Sequence, residues 1–331
     1  MSRNLQIRLK SSPHGPIGPE HFEQVEADMP AAGDGEILCR NLYLSLDPYM
    51  RSQIAGRHMS GAVRPGDVMR GETVAEVVAS NHPDFAPGDR VAHFGGWQSH
   101  AASPGAAARK LPDHDVPPSL YLGILGMPGL TAYASILHVG RVQAGDMVCV
   151  SAASGPVGSM VGQIARIAGA RVVGIAGSDD KCRFVTEELG FEGAVNYRTT
   201  DLAEGLKAAC PDGIDVYHDN VGAEVLEAAM ANLAQGARIV LCGLIKQYSA
   251  DTTLPGPPLG PIFAARATMR AVIVYDHEHR RPRFERDVAG WIADGRVKYR
   301  EDRVDGLDQA PHLFARLMRG ENFGKCVVKL A

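Results

Sequence analysis

The pattern of apolar and polar residues changes along the chain. Up to about residue 118, short apolar runs such as Glu36–Leu38 and Thr73–Val78 alternate with the Pro-Gly-Asp turns at 65–67 and 87–89. Helical spacing of apolar residues is rare in this part. Short strands separated by turns of this type are typical of a compact β domain.

From Asp146 to about Val274, apolar runs rich in Val and Ile alternate with helical segments. The predicted strands are Met147–Ser151, Arg171–Ala176, Ala194–Asn196, Ile214–His218, Arg238–Cys242 and Ala271–Val274. The predicted helices are Pro156–Ala168, Asp179–Leu189, Leu202–Ala209 and Ala223–Leu233. This alternation indicates a parallel sheet with helices on both faces. The Pro/Gly-rich segment 255–261 is predicted to be a long loop past a strand's carboxyl end, where such sheets bind ligands.

The end of the chain returns to a mixed pattern, with a helix predicted near Ala310–Met318 and a strand near Lys325–Leu330. We expect this part to rejoin the β domain. The sequence therefore predicts an α/β protein of two domains. Residues 1–119 and 295–331 form the β-rich domain, and residues 120–294 form an inserted domain with the parallel sheet.

Composition narrows the class of protein. Of the 331 residues, 45% are hydrophobic and 22% are charged, as in globular proteins. The net charge of −4, without a dense run of Lys and Arg, argues against nucleic-acid binding. Six scattered cysteines with no Cys-x-x-Cys pair suit reduced thiols. The N-terminus is not a signal peptide and no window approaches the ~18 apolar residues of a membrane span, so we expect a cytoplasmic protein without a membrane partner.

The strongest local motif is the glycine-rich turn at 148–158, Val-Cys-Val-Ser-Ala-Ala-Ser-Gly-Pro-Val-Gly. A strand that leads through glycines into a helix directs free backbone N–H groups at a phosphate. Ala153 occupies the position of the usual first glycine, so the strict G-x-G-x-x-G pattern is not met. Gly162, one turn later, is better explained by tight packing of the helix.

The end of the next strand indicates which nicotinamide cofactor binds. NAD enzymes carry a carboxylate about 20 residues beyond the motif, which binds the ribose 2′-hydroxyl. Here the strand ends in Gly177-Ser178, and the following Asp179 and Asp180 suit helix N-capping. Lys181 is close enough to bind a 2′-phosphate, although a lone lysine on a first helical turn is more often a solvated charge. The missing carboxylate favours NADP.

Motifs from end to end of the chain then show a family resemblance. They are the stretches 41–51 (Asn-Leu-Tyr-Leu-Ser-Leu-Asp-Pro-Tyr-Met-Arg), 68–71, 126–133, 152–163, 174–182, 196–197, 219–222 (Asp-Asn-Val-Gly), 242–243 and 320–325. The chain resembles the zinc-independent group of the medium-chain dehydrogenase/reductase superfamily, which includes 2-alkenal (double-bond) reductases, prostaglandin/leukotriene reductases and bacterial curcumin reductases. The resemblance implies a GroES-like β domain that holds the substrate and a Rossmann domain, with a doubly wound parallel sheet, that binds NADPH.

The resemblance also assigns roles to residues. Lys181 and Tyr197 match residues that hold the adenosine 2′-phosphate, Asn220 matches one beside the nicotinamide ribose, and Asn322 one near the carboxamide. The remaining predicted cofactor-binding residues are Ser154, Gly155, Pro156 and Val157 in the pyrophosphate turn, Cys242, Gly243, Tyr248, Val272, Ile273 and Val274 at the nicotinamide end, and Met127, Thr131, Gly177 and Gly324. Tyr49 and Tyr248 match tyrosines that face the substrate and are the candidate catalytic residues. Tyr49 could instead be a simple turn aromatic after Asp47-Pro48.

The residues that zinc-dependent members of the superfamily use are not in place. Their first domain needs a Cys and a Gly-His-Glu segment, whereas this chain has Arg-Gly-Glu at 70–72. Cys39 has no partner at ligand spacing and the four-cysteine lobe is missing. His277-Glu278-His279 is more often a solvated surface segment than a metal site. We therefore expect no metal.

The resemblance implies NADPH-dependent reduction of the C=C bond of α,β-unsaturated aldehydes and ketones, by hydride transfer to the β-carbon and protonation of the enolate. Tyr248 and Tyr49 are the candidate donors to the enolate oxygen. Two alternatives stay open: an NADPH:quinone reductase and a non-catalytic NADPH-binding regulator. Many relatives carry Ser-Tyr where this chain has His58-Met59, which puts the identity of the substrate in doubt. The relatives also suggest a homodimer.

Overall fold

The computed structural model describes residues 3–112, 116–248 and 255–331. The chain divides into two compact units, Met1–Gly123 with Glu301–Ala331, and Ile124–Arg300. No helix in the described ranges combines the length and the apolar character that crossing a membrane requires.

The strands of the described chain are β1 Asn4–Leu9, β2 Phe22–Ala27, β3 Glu36–Ser45, β4 Thr73–Ser80, β5 Arg90–His93, β6 His100–Pro104, β7 Arg109–Lys110, β8 Met147–Ser151, β9 Arg171–Ala176, β10 Gly193–Asn196, β11 Ile214–Asp219, β12 Leu233–Leu241, β13 Thr268–Ala271, β14 Glu301–Asp305 and β15 Lys325–Lys329. The α-helices are α1 Tyr49–Ile54, α2 Met127–Ala134, α3 Pro156–Ile167, α4 Asp179–Arg183, α5 Leu202–Ala209, α6 Ala223–Met230, α7 Ile245–Tyr248, α8 Gly260–Ala265, α9 Arg281–Ala293 and α10 Ala310–Met318.

The first unit is built on a mixed sheet and a hairpin. In its described part the sheet order is β14-β15-β3-β4-β5-β7, with β6 also paired to β3, and β1 pairs with β2. The strand β15 pairs antiparallel with β3, so the end of the chain completes the sheet begun by its first third. Its core combines apolar residues of α1 and α10 with Trp97 and Phe22, whose rings stack 5.4 Å apart.

The second unit contains a parallel sheet with the order β10-β9-β8-β11-β12-β13 in the described residues. Counted from β8 as the first strand, this order is 3-2-1-4-5-6, that of doubly wound dinucleotide-binding sheets. The order reverses between β8 and β11, and ligands of such sheets bind at the carboxyl ends of the strands beside that point. All five residues of β8 are buried, which explains why its bounds follow from its apolar run alone.

Four predicted elements of this unit were wrong in part. The strand predicted at Ala271–Val274 lies at Thr268–Ala271, because this edge strand is mostly exposed and lacks an apolar run. Gly260 and Pro261, predicted as loop, begin α8, where proline fits because the first turn needs no N–H donor. The helix predicted at 223–233 ends at Met230. The strand predicted at Arg238–Cys242 is β12, which already begins at Leu233 and ends at Leu241.

Candidate active site

The glycine-rich turn connects β8 to α3 and leaves the start of the helix without a side-chain cap. Gly155 is the N-cap residue of α3, and its N–H donates to the carbonyl oxygen of Ala152 over 2.9 Å. Ala152 has a φ of 51°, in the left-handed region. A Cβ at Gly158 would lie 2.5 Å from the Ala152 oxygen, so this close approach requires glycine. The first-turn N–H groups of α3 suit an external anion such as a pyrophosphate.

Gly162 serves packing rather than the turn. A Cβ at this position would lie 2.0 Å from the ring of Phe191. The sequence-based interpretation of Gly162 as a packing residue is therefore confirmed.

The ends of β9 and β10 form a polar corner around Gly177. A Cβ at Gly177 would lie 2.9 Å from the hydroxyl of Tyr197, whose ring covers the glycine while remaining 40% exposed. Lys181 lies on the first turn of α4, and the Arg198 guanidinium lies 5.9 Å from the Tyr197 ring centroid. A guanidinium beside an exposed phenol, with a lysine on the adjoining helix, suits a phosphate group.

The capping of α4 differs from the sequence-based expectation. Ser178, not Asp179 or Asp180, is the N-cap residue, and its hydroxyl accepts a hydrogen bond from the backbone N–H of Lys181. The carboxylate of Asp179 instead accepts a 2.7 Å hydrogen bond from Asn196 Nδ2. Asp179 is thus occupied at the corner where an NAD enzyme would present a carboxylate to a ribose.

Asn220 is held at the end of β11 by the end of β8. Its backbone N–H donates to Ser151 Oγ over 2.8 Å, and its Nδ2 donates to the Ser151 carbonyl oxygen over 2.7 Å. The same Ser151 hydroxyl lies 3.2 Å from Asp219 Oδ1. This oxygen also accepts from the N–H groups of Val221 and Gly222, each over 3.1 Å. The turn that carries Asn220 is therefore fixed by a buried carboxylate.

Two further groups of this network are fully buried. Tyr217 donates from its hydroxyl to Asp219 Oδ1 over 3.0 Å, and burial raises its pKa well above the ordinary value. His218 Nε2 lies 2.8 Å from Ser135 Oγ, and burial lowers the pKa of this imidazole to about 3. Burial also raises the pKa of Asp219, against the hydrogen bonds that stabilise its charge. The network thus stabilises the carboxyl end of β11 from within the second unit.

The segment from Cys242 to Tyr248 packs on this turn. The N–H groups of Cys242 and Gly243 donate to the carbonyl oxygen of Asp219 over 2.8 and 3.1 Å. Tyr248 Oη accepts a 3.3 Å hydrogen bond from the Leu244 N–H, so its own hydrogen is available for donation. Burial raises the pKa of Tyr248, which keeps the phenol protonated at neutral pH. A protonated phenol is suited to donate to a developing oxyanion.

The remaining predicted cofactor residues of the second unit lie near other helix and strand ends. Met127 begins α2, and Thr131 Oγ1 donates to its carbonyl oxygen over 2.8 Å. Val272 directly follows β13, and its backbone N–H donates to the Leu241 carbonyl oxygen over 3.0 Å. A 3-10 helix begins at Val274. Ser154, Pro156 and Val157 lie in the glycine-rich turn and the first turn of α3.

The first unit holds Tyr49, Asn322 and Gly324. Tyr49 begins α1, directly after Asp47 and Pro48. Asp47 Oδ1 pairs with Lys325 Nζ at 2.8 Å, and both side chains are buried. Asn322 Nδ2 donates to the carbonyl oxygen of Gly324 over 2.9 Å. The buried ion pair therefore ties the start of α1 to the segment that carries Asn322.

Comparisons with known proteins agree with this arrangement. The family described as "N-terminal domain of oxidoreductase" matches residues 5–111, and that described as "Zinc-binding dehydrogenase" matches residues 156–293. The NADPH-dependent curcumin reductase of Escherichia coli K12 is 44% identical over 336 residues, covering 99% of this chain and 97% of the relative. The chain belongs to the zinc-independent group of the medium-chain dehydrogenase/reductase superfamily.

Two other relatives share this group of the medium-chain superfamily. The NADP(+)-dependent 2-alkenal reductase of Nicotiana tabacum is 41% identical, over 90% of this chain and 88% of the relative. The crystal structure of CurA from Vibrio vulnificus in complex with NADPH superposes with a TM-score of 0.93 at 42% identity, covering 99% of both chains. The predicted fold, a GroES-like β domain with a Rossmann domain, is confirmed.

Two positions at which zinc-dependent members of the superfamily bind metal are unsuited to it here. A Cβ at Gly71 would lie 2.9 Å from Leu44 and 3.2 Å from Met50, so an imidazole there would crowd these side chains. Cys39 lies in an apolar cluster, and burial raises its thiol pKa to about 12, which disfavours the thiolate that zinc needs. Over the residues that the structure describes, no group of three or more His, Cys, Asp or Glu is arranged to hold an ion. The absence of zinc remains a prediction.

Several residues that support the candidate site were not identified from the sequence. Ser151 and Asp219 were quoted only as parts of motifs, although they fix the Asn220 turn. Arg198 directly follows Tyr197, and its position beside a predicted phosphate-binding residue is a signal that could have identified it. The contact of Asp47 with Lys325 spans 278 residues and leaves no local signal in the sequence.

Proposed function

We propose that this chain is an NADPH-dependent reductase of the C=C bond of α,β-unsaturated aldehydes and ketones. The observation that carries the proposal is its similarity, over nearly its full length, to an NADPH-dependent curcumin reductase and a 2-alkenal reductase. A 2-alkenal is itself an α,β-unsaturated aldehyde. The chain is thus an NADP-dependent oxidoreductase, and the class of carbonyl substrate is our proposal.

The residues at the carboxyl edge of the parallel sheet fit NADPH. The uncapped start of α3 suits the pyrophosphate, and Gly158 allows the tight turn before it. Lys181 and Tyr197 would hold the 2′-phosphate, and the Asp179 carboxylate is engaged with Asn196. Asn220 would lie beside the nicotinamide ribose. The reduced nicotinamide, when bound, supplies a hydride.

The protein's own contribution is to orient the substrate and to stabilise charge. Reduction of an enone at its β-carbon places negative charge on the carbonyl oxygen, and a preorganised hydrogen-bond donor stabilises it by a few kcal/mol, roughly 3. Tyr248 is our first candidate, because its hydroxyl is oriented by the Leu244 N–H and stays protonated. Tyr49 is the second candidate, and the α-carbon takes its proton from solvent or from one of these phenols.

The test is NADPH oxidation with a 2-alkenal, with an aryl enone such as benzalacetone and with a quinone, each repeated with NADH. NADPH-selective turnover of the alkenal or the enone, with the saturated carbonyl compound as product, is expected. Turnover of the quinone alone would instead support a quinone reductase. NADPH binding without reduction of any acceptor would favour a non-catalytic regulator.

We also propose that two copies of the chain form a homodimer. Among the described strands, β13 pairs only with β12 and so forms one edge of the parallel sheet. Beside it, α8 exposes Phe263 to 88% and Leu259 precedes the helix with 71% exposure. An open edge next to apolar side chains is a surface that a second copy could cover. Light scattering should give a dimer, and Phe263→Ser should shift it toward the monomer.

A cytoplasmic location is proposed from the cysteines. All six are free thiols in the structure, and four of them are buried. Free thiols are typical of a reducing compartment. Cell fractionation should recover the protein with cytoplasmic markers, and recovery from a secreted fraction would contradict the proposal.

A further inference from the structure

The loop after α1 brings His58 onto the ring of Tyr49. The ring centroids lie 5.0 Å apart and the ring planes are inclined by 29°, a stacked arrangement. Tyr49 also packs against the apolar core of the first unit. The phenol ring therefore has the core and the imidazole as its neighbours, and an aromatic pair of this kind restricts the orientation of both rings.

Ser60 fixes the orientation and the tautomer of His58. The backbone N–H of Ser60 donates to His58 Nδ1 over 3.2 Å, and Ser60 Oγ lies 2.7 Å from the same nitrogen. Because a backbone N–H can only donate, Nδ1 is an acceptor and the neutral ring carries its hydrogen on Nε2. Burial lowers the pKa of His58, which favours this neutral form.

Ser60 is itself anchored on two sides. Gln53 Nε2 donates to the Ser60 hydroxyl over 2.8 Å, and Gln53 is buried at the end of α1. Arg70 Nη1 donates to the Ser60 carbonyl oxygen over 2.6 Å. The hydroxyl that accepts from Gln53 donates to His58, so a chain of hydrogen bonds leads from the helix of Tyr49 to the ring that stacks on Tyr49.

We propose that His58 is a positioning residue for Tyr49: its stacked imidazole holds the phenol in the orientation in which the hydroxyl serves the reduction of an enone. The inference rests on the function proposed above, in which Tyr49 faces the substrate. A residue without a ring at position 58 would have nothing to stack on Tyr49. The orientation of Tyr49 thus depends on the ring of His58.

The test compares two variants of His58 with a control in the same loop. His58→Ala removes the ring and should lower kcat for the enone about tenfold, because a displaced catalytic group loses its alignment. His58→Phe keeps a ring and should recover most of this loss. Arg64→Ala changes an exposed side chain further along the same loop, and it should behave as the wild type. The dissociation constant for NADPH should not change in any of the three.

A double-mutant cycle then asks whether His58 acts through Tyr49. If it does, His58→Ala should cause no further loss of kcat in the Tyr49→Phe background, whereas independent effects would add another loss of about tenfold there. Additive losses would overturn the proposal, as would a His58→Ala variant with unchanged kcat or a His58→Phe variant as impaired as the alanine variant. Failure of the proposed function would look different, because the wild type itself would reduce no enone.

Discussion

Asn220 binds Ser151 through both of its amide groups, with the backbone N–H on the serine hydroxyl and Nδ2 on the serine carbonyl oxygen. Ser151 is the last residue of β8, and Asn220 directly follows β11. These are the neighbouring strands at which the order of the parallel sheet reverses. The side chain predicted to lie beside the nicotinamide ribose is thus oriented across the reversal point by a residue of the adjacent strand.

Ser151→Ala should weaken NADPH binding. The change removes the acceptor of the Asn220 N–H and a donor to Asp219, and a lost hydrogen bond of this kind costs about 1–2 kcal/mol. We therefore expect the Kd for NADPH to rise about tenfold in a fluorescence titration. Thr186→Ala removes a hydroxyl bonded only within its own helical turn and should leave this Kd unchanged. An unchanged Kd in Ser151→Ala would mean that the turn holds Asn220 without the hydroxyl.

Lys181→Ala should reduce the preference for NADPH over NADH. A charge-assisted bond to a phosphate contributes about 1.5–3 kcal/mol, so KM for NADPH should rise at least about tenfold while KM for NADH stays the same. Arg183→Ala is the matched control, since Arg183 lies on the same helix but is exposed and pairs with Asp180. If both variants raised KM for NADPH equally, the effect would come from the general electrostatic field of this helix rather than from a contact with the 2′-phosphate.

The parallel sheet could be predicted from the sequence where its strands are buried on both faces. The predicted bounds of Met147–Ser151 and Arg171–Ala176 equal those of β8 and β9, because continuous apolar runs mark them. The edge strand β13 has no such run, and its prediction was displaced. Contacts that depend on loop conformation, such as the stacking of His58 on Tyr49, have no periodic signal at all. The roles of the site residues remain predictions.

Tyr248→Phe should lower kcat with little change in the affinity for NADPH. The variant keeps the ring and removes only the hydroxyl, and loss of one donor to a developing oxyanion costs on the order of a hundredfold in rate. Tyr299→Phe removes the hydroxyl of a partly exposed tyrosine and serves as the control. Single-turnover rates with an enone, measured at saturating NADPH, separate this effect from product release. Unchanged rates in Tyr248→Phe would exclude this residue from the mechanism and leave Tyr49 as the candidate donor.

The free energy of unfolding should fall as the pH is lowered from about 6.5 to 5. This pH window lies above the range in which ordinary carboxylates titrate. Burial lowers the pKa of His93 to about 4 and that of His218 to about 3. The unfolded chain binds protons on these imidazoles near pH 6.5 whereas the folded chain does not, so each group removes about 1.4 kcal/mol per pH unit in this window. Both rings are bound as neutral imidazoles, His93 between Asn41 and Ser103, and His218 beside Ser135.

Urea unfolding at several pH values measures this dependence. His93→Gln should reduce the slope of stability against pH by about 1.4 kcal/mol per unit, even if the variant is less stable at pH 7. Thr186→Ala changes no titratable group and should leave the slope as in the wild type. Comparing slopes rather than midpoints keeps the test independent of any packing loss at position 93. A slope unchanged by His93→Gln would mean that the folded chain admits a proton or water to this ring, and that the buried His93–Asn41–Ser103 cluster opens well before the sheet around it unfolds.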